Sequence, residues 1–383
     1  MKSQYLAAGI LSVVLLLLAG CATPYRPPTI VKGSSDFPGL LELMTESKRE
    51  PIDVILVHGM CTTDARWPIA VMKKLTDAIG ASATIPDAEG ELVKAKPNEI
   101  QVVKGSAQAT VGSIRFSGLV WSPLFAKMKE QLSYDITGKE TNCTTDDTCK
   151  PKRASLNGSI KDKLLNDCLS DALAYQGVAR KAFRHAMVES LTKVVQDAGD
   201  STGPVVVVAA SLGSKMVFDA LTDMLNSPKD PSQIAAAKSI QRRLAVVFMA
   251  ANQIPILALA DQDLPSTREK SAFGGDSSAG DSLKIFLQAR QQNANKAGGV
   301  RSRAFTELAI VAFNDPNDLL SYRLLPTRYK ADQVRITDVL VSNGKTYLGL
   351  FEDPLSAHGE YLTNDSVMRL LACGAPSKER CLK

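Results

Sequence analysis

The sequence predicts an α/β domain built on a mostly parallel central sheet, flanked by helices and carrying helical and loop insertions. Three observations lead there. Runs of β-branched and other apolar residues alternate along the chain with stretches of helical periodicity, the pattern of strands joined by helical crossovers. The 383 residues, 45% apolar and 22% charged, are enough to bury a sizeable core at ordinary globular composition. Finally, Val205-Val206-Val207-Val208 runs into Ala209-Ala210-Ser211-Leu212-Gly213, and an amphipathic continuation follows. That is a strand, a sharp turn and a helix in succession, with small residues two before and two after the serine, where bulk would meet the backbone.

Taken in order, 53–57 reads as a buried strand running into His58-Gly59-Met60. Residues 70–79 place Val71, Leu75 and Ile79 on one helical face. Residues 100–103 and 114–121 read as further strands, and 139–159 turns polar and cysteine-bearing, as a surface loop does. A long helical stretch over 160–198 is expected to break near Gly177. After the serine helix, 244–250 is another strand. Residues 266–280, rich in Gly, Ser and charge, read as a lid or a solvated insertion. Strands over 308–313 and 334–341 follow, and 366–371 has helical spacing.

The N-terminus reads as a processing signal. Lys2 precedes an apolar run over 6–19, too short to span a bilayer comfortably, which ends in Leu18-Ala19-Gly20-Cys21. This tetrapeptide resembles a bacterial lipobox, which implies a signal over 1–21 and acylation of Cys21. Several acyl chains would hold a protein to a membrane where one would not. Ala22 rather than aspartate after the cysteine favours the outer membrane by the same resemblance. Residues 22–48, Pro-rich and then polar, read as a tether, leaving 49–383 as the folded domain.

Six further cysteines in an oxidising compartment suggest disulfides. Cys143 with Cys149 and Cys373 with Cys381 are close in sequence and suited to short loops. Cys61 and Cys168 are left over, either as a third pair or as two buried free thiols. The net charge of +5 is spread along the chain. With no arginine-rich arm, zinc-type Cys/His spacing or phosphate-cradling glycine loop, nucleic-acid binding and nucleotide hydrolysis are disfavoured.

Three histidines narrow the chemistry. His58 belongs to the His-Gly element after a strand. His185 lies in a basic helical stretch and reads as a solvated helix residue. His358 is the only histidine after Ser211 and is expected on a loop between the last strand and a helix. The strand at 308–313 ends in Asn314-Asp315-Pro316-Asn317-Asp318-Leu319-Leu320, which offers two acids. Asp318, just before an apolar pair, is the favoured partner of His358. Asp315, which could instead cap the turn beside Pro316, is the alternative. Asn252-Gln253, the Asp171/Tyr175 pair one helical turn apart, Trp67 and Trp121 all have structural explanations.

On these residues the chain resembles serine hydrolases of the α/β-hydrolase superfamily, of the lipase and esterase type. The resemblance covers 52 to about 371 and implies the order Ser211, Asp318, His358. It also implies an oxyanion hole from the Met60 and Leu212 amides, a structural role for His58, acyl-ester or lipid substrates, and no metal or organic cofactor. Alanine at 209, where glycine is commoner, and the helical insertion before the serine depart from the pattern. Acyl transfer to another alcohol, or a catalytically silent hydrolase-fold lipoprotein serving as a binding or assembly module, are the competing expectations.

Overall fold

A computed structural model of the chain describes residues 21–32, 36–47, 50–136, 152–226, 230–262, 281–296, 307–324 and 327–376. The signal segment up to residue 20, the 266–280 insertion, Cys143, Cys149 and Cys381 lie outside the described residues. The described chain is mixed α/β around one nine-stranded sheet. In chain order its strands are β1 (Thr29–Ile30), β2 (Ile52–Val57), β3 (Ser82–Thr84), β4 (Gln101–Ala109) and β5 (Gly112–Val120), followed by β6 (Val205–Ala210), β7 (Leu244–Ala250), β8 (Leu308–Asn314) and β9 (Val334–Leu340). Across the sheet the order is β1-β9-β8-β7-β6-β2-β5-β4-β3. The six central strands are mutually parallel, and β1, β3 and β4 add antiparallel edges.

The valine run explains its own central position. In β6, Val205, Val207 and Ala209 enter one hydrophobic core, while Val206 and Val208 enter the core on the opposite face. A strand with period-2 side chains that are apolar on both faces has to be covered on both sides, so it lies mid-sheet. Helices α1 (Leu40–Glu46), α2 (Arg66–Ala78) and α8 (Asp365–Cys373) cover one face. The other is covered by α3 (Arg180–Asp197), α4 (Leu212–Asn226), α5 (Pro231–Arg243) and α6 (Ser282–Lys296). The short α7 (Pro354–Gly359) carries His358.

Several expectations need correction. The strand expected over 100–103 continues to Ala109 and makes a nine-residue antiparallel hairpin with β5. Helix, not loop, begins within 139–159, at Ser155–Ser159. The described part of 22–48 is packed on the domain rather than acting as a free tether. Cys21–Ala22 pairs with Thr346–Tyr347, β1 adds to the edge of β9, and Phe37, Leu40, Leu43 and Met44 are buried. The Pro-rich composition hid this, because edge pairing uses backbone groups and asks little of side chains. No helix among the described residues is long and apolar enough to cross a membrane.

Candidate active site

The parallel strands β6, β8 and β9 deliver their C-terminal ends to one end of the sheet, and the loops that follow carry Ser211, Asp318 and His358. Ser211 follows β6 directly and has φ +51, a left-handed conformation that costs a non-glycine residue about 1 kcal/mol or more. Its amide donates to the Ala250 carbonyl at 2.7 Å, and α4 begins at the next residue. The turn works only with small neighbours. A Cβ on Gly213 would stand 2.4 Å from the His58 carbonyl oxygen, and one on Gly59 would stand 2.7 Å from the Ser211 Cβ. The small residue expected at 213 is therefore required by the backbone of the His58 loop.

His358 Nε2 lies 3.1 Å from Ser211 Oγ, and Nδ1 lies 3.0 Å from each Asp318 oxygen. A carboxylate only accepts, so Nδ1 carries the proton and Nε2 accepts from the serine hydroxyl. Asp318 is buried and receives two more donors, the Leu320 amide at 2.9 Å and the Tyr361 hydroxyl at 3.0 Å. Burial, with the Asp318 charge second, pushes the Tyr361 phenol well above its usual range, so it stays a proton donor.

Asp315 does not touch the imidazole. Its oxygens accept from the Asn343 amide at 2.7 Å and the Asn317 amide at 3.0 Å, closing the turn as the alternative role foresaw. Burial raises its carboxyl to about 6 against the lowering effect of those amides, with Glu352 adding to the rise. The ring of support continues through Asn343, whose Nδ2 donates to the Ala357 carbonyl at 2.8 Å, immediately before His358. Asn364 donates in turn to Asn343 Oδ1 at 3.1 Å. Sequence reading missed Tyr361, Asn343 and Asn364, because each acts through residues distant in the chain. Tyr361, three positions after the histidine, carried the only local signal.

The backbone amides of Met60 and Leu212 face no protein acceptor among the described residues. Leu212 is the first residue of α4, where amides are unpaired by helix geometry and the helix dipole favours negative charge. The Met60 loop is held from many sides. Cys61 has φ +81 and is disulfide-bonded to Cys168, and its amide donates to Asp171 at 2.8 Å. The Thr62 amide and hydroxyl reach Asp167, and the Thr63 amide reaches Ser122 Oγ at 2.9 Å. Asp171 lies fully buried with Lys129 2.9 Å away. Burial raises its carboxyl to about 6 despite that lysine. Asp171 and Tyr175 do not form the expected pair, since Tyr175 donates instead to Asp219 at 2.8 Å. Cys373 is also disulfide-bonded.

His58 is the floor of this loop. It stacks on Trp121 at 4.3 Å, its Nδ1–H donates to the Gly59 carbonyl at 2.6 Å, and its Nε2 accepts from the Trp121 and Ser122 amides at 2.9 and 3.2 Å. Burial lowers its pKa from 6.5 to about 3 against the raising effect of the Gly59 carbonyl. The unfolded chain therefore takes up a proton here below 6.5 while the fold refuses it. The stability this histidine contributes is complete above 6.5 and is lost as pH falls toward 3, by up to ~1.4 kcal/mol per pH unit. Asp171 and Asp315 run the other way, contributing most at low pH and losing that contribution as pH rises through about 6. His58→Asn, which deprives two buried amides of their acceptor, is expected to cost roughly 2–5 kcal/mol at neutral pH. Because it also removes the proton linkage, the gap to the unsubstituted protein should narrow on acidification. Urea unfolding of both proteins at about pH 7 and about pH 5 checks the sign.

One buried charge cluster was not anticipated. Lys215, one turn after Ser211 in α4, is buried between Asp219 at 3.2 Å and Asp261 at 2.7 Å, and Arg180 pairs with both acids. Burial would raise the Asp219 carboxyl, but Lys215 and Arg180 bring it below its usual range, so the cluster stays ionised and paired. Among the other residues weighed from sequence, His185 is exposed and pairs with Glu189 at 3.3 Å. Asn252 ends β7 by donating to the Tyr322 carbonyl at 2.9 Å and accepting from the Ile254 amide at 3.2 Å. Gln253 packs against Met60, with Nε2 3.7 Å from the sulfur. Comparison with protein-family models and with curated proteins found no match to this chain.

Proposed function

We propose that this protein is a membrane-anchored serine hydrolase of the α/β-hydrolase fold that cleaves carboxylic esters, lipid esters among them, through an acyl-enzyme. The observation that carries the proposal is the unbroken hydrogen-bond chain Ser211 Oγ, His358 Nε2, His358 Nδ1, Asp318. A serine hydroxyl is a weak nucleophile at neutral pH and needs a base within hydrogen-bond reach. His358 takes the Ser211 proton at Nε2 as Oγ bonds to the ester carbonyl carbon, and Asp318 keeps Nδ1 protonated and stabilises the imidazolium. The carbonyl oxygen, now negative, is received by the Leu212 and Met60 amides. Two such donors contribute several kcal/mol to catalysis, about 3–4 for one in a well-measured case. His358 returns the proton to the departing alkoxide as the carbonyl–oxygen bond breaks. Water then attacks the acyl-enzyme with the same base, releasing the acid and restoring Ser211.

The resemblance of the segment ending at Cys21 to a lipobox supports the membrane address. Labelling by a fluorophosphonate probe tests the reading. The unsubstituted domain is expected to label at Ser211, and Ser211→Ala and His358→Ala are expected to abolish labelling without unfolding. A folded, unsubstituted protein that stays unlabelled, alone and in the presence of lipid vesicles, would overturn the proposal and favour a silent binding module.

A further inference from the structure

The residue that the lipobox marks for acylation is built into the fold. Cys21, exposed, pairs with Tyr347 across a two-residue antiparallel bridge, an arrangement that puts paired Cα atoms roughly 5 Å apart. The Tyr25 amide donates to Ser342 Oγ at 3.1 Å, and Arg26 donates to the Ser342 carbonyl at 3.2 Å. Acyl chains on Cys21 would therefore leave the protein beside Tyr347 rather than at the end of a loose tether.

What lies beside them is the most apolar exposed turn of the described chain. In five consecutive residues, Tyr347, Leu348, Leu350 and Phe351 expose 52%, 57%, 87% and 46% of their surface. The turn is closed by backbone hydrogen bonds, Tyr347 amide to Phe351 carbonyl at 2.7 Å and Leu350 amide to Tyr347 carbonyl at 2.9 Å, with Gly349 at φ +67. Its base is pinned by buried Glu352, which accepts from the Gly344 amide at 2.9 Å and from Asn317 Nδ2 at 2.7 Å. A water-facing loop has no core to fill, and four large apolar side chains held out on a rigid turn constitute a patch that seeks another surface. The turn follows β9, so it projects from the sheet end that carries Ser211 and Asp318, and α7 with His358 comes next in the chain.

We infer that the 347–351 turn is a docking tip for the lipid leaflet that holds the Cys21 anchor. Anchor and tip enter the bilayer side by side, with the Tyr347 ring at the headgroup level that such amphipathic rings prefer. The sheet end bearing the triad is thereby held against the lipid surface. The inference rests on acylation of Cys21 and not on the activity of the triad. Several acyl chains on Cys21 already suffice to retain the protein, and the tip fixes which face of the domain meets the lipid.

The test uses the full-length acylated protein reconstituted in phosphatidylethanolamine/phosphatidylglycerol vesicles containing brominated lipid. Tryptophan is introduced by Leu350→Trp or, at the opposite end of the sheet, by Asp200→Trp, an exposed position in the turn before β6. Fluorescence added by Leu350→Trp is expected to shift to the blue and to be quenched several-fold more than that added by Asp200→Trp. Equal, weak quenching at the two positions would overturn the inference. So would a blue-shifted but unquenched signal at position 350, which would mean that protein covers the turn. Absence of acyl mass on the Cys21 peptide would remove the basis for the inference and leave fluorophosphonate labelling, the test of the hydrolase reading, untouched. A Leu350→Ser/Phe351→Ser double variant should lose hydrolysis of vesicle-borne esters several-fold and keep its rate on a soluble p-nitrophenyl ester.

Discussion

Asp318→Asn is expected to slow acylation of Ser211 by about four orders of magnitude and to leave the fold intact. Asp318 receives His358 Nδ1–H on both of its oxygens, so an asparagine amide in its place would turn one acceptor into a donor. The imidazole would then favour the opposite tautomer, with its proton on Nε2 facing the serine hydroxyl that has to give one up. The Leu320 amide, on Oδ1, would keep its acceptor in the asparagine carbonyl, and the Tyr361 hydroxyl, which faces Oδ2, can accept from the new Nδ2, so the fold survives. Asp315→Asn is the internal control. Its carboxylate serves the Asn343 and Asn317 amides and no part of the imidazole, so it should cost roughly 1–3 kcal/mol of stability and less than about tenfold in rate. Stopped-flow hydrolysis of p-nitrophenyl acetate, together with thermal melts, measures both effects. Equal rate losses in the two variants would reassign the acid.

Removing the Cys61–Cys168 bridge is the second large effect. The bond spans 107 residues, and constraining a loop of that size in the unfolded chain contributes typically about 2–4 kcal/mol. Cys61→Ser/Cys168→Ser should lower stability by that order. It should also lower kcat more than it raises KM, because Met60 directly precedes Cys61 and the position of the Met60 amide depends on the loop. Asp171 and Asp167 keep their hold on the Cys61 and Thr62 amides, so the loop loosens without opening and the rate loss stays about tenfold to a hundredfold. The oxidised and reduced unsubstituted protein, the latter also losing the Cys373 bridge, and the oxidised double variant, which keeps it, compared under one assay separate the Cys61–Cys168 bridge from the substitutions. Unchanged kcat on reduction would detach the loop from the chemistry.

Much of this was legible in the chain. The Val205–Ala210 strand and the sharp turn at Ser211 follow from local rules, period-2 burial and small residues in a strained turn, and the order of serine, acid and histidine is what the resemblance to α/β-hydrolases implies. The choice of Asp318 over Asp315 was a preference that the geometry resolves, because only Asp318 lies against the imidazole. The packing of the N-terminal segment was not legible. Strand pairing at Cys21–Ala22 and Thr29–Ile30 is made by backbone groups over two residues each, too short a run to show the alternation that marks a strand in sequence. Nor was the support around His358, since Tyr361, Asn343 and Asn364 act across turns whose closeness is created only when β9 lies beside β8.

By itself, then, the sequence determined the alternation of strands and helices, the central place of the valine run and the residue types able to form a nucleophile, base and acid. These depend on neighbours within a few positions along one chain. Tertiary structure alone decided which acid meets His358, that Cys61 joins Cys168, and that Cys21 lies next to an exposed apolar turn. Each of these is a meeting of residues tens to hundreds of positions apart. Such meetings are set by the parallel register of the central strands, which brings their C-terminal loops to one end of the sheet.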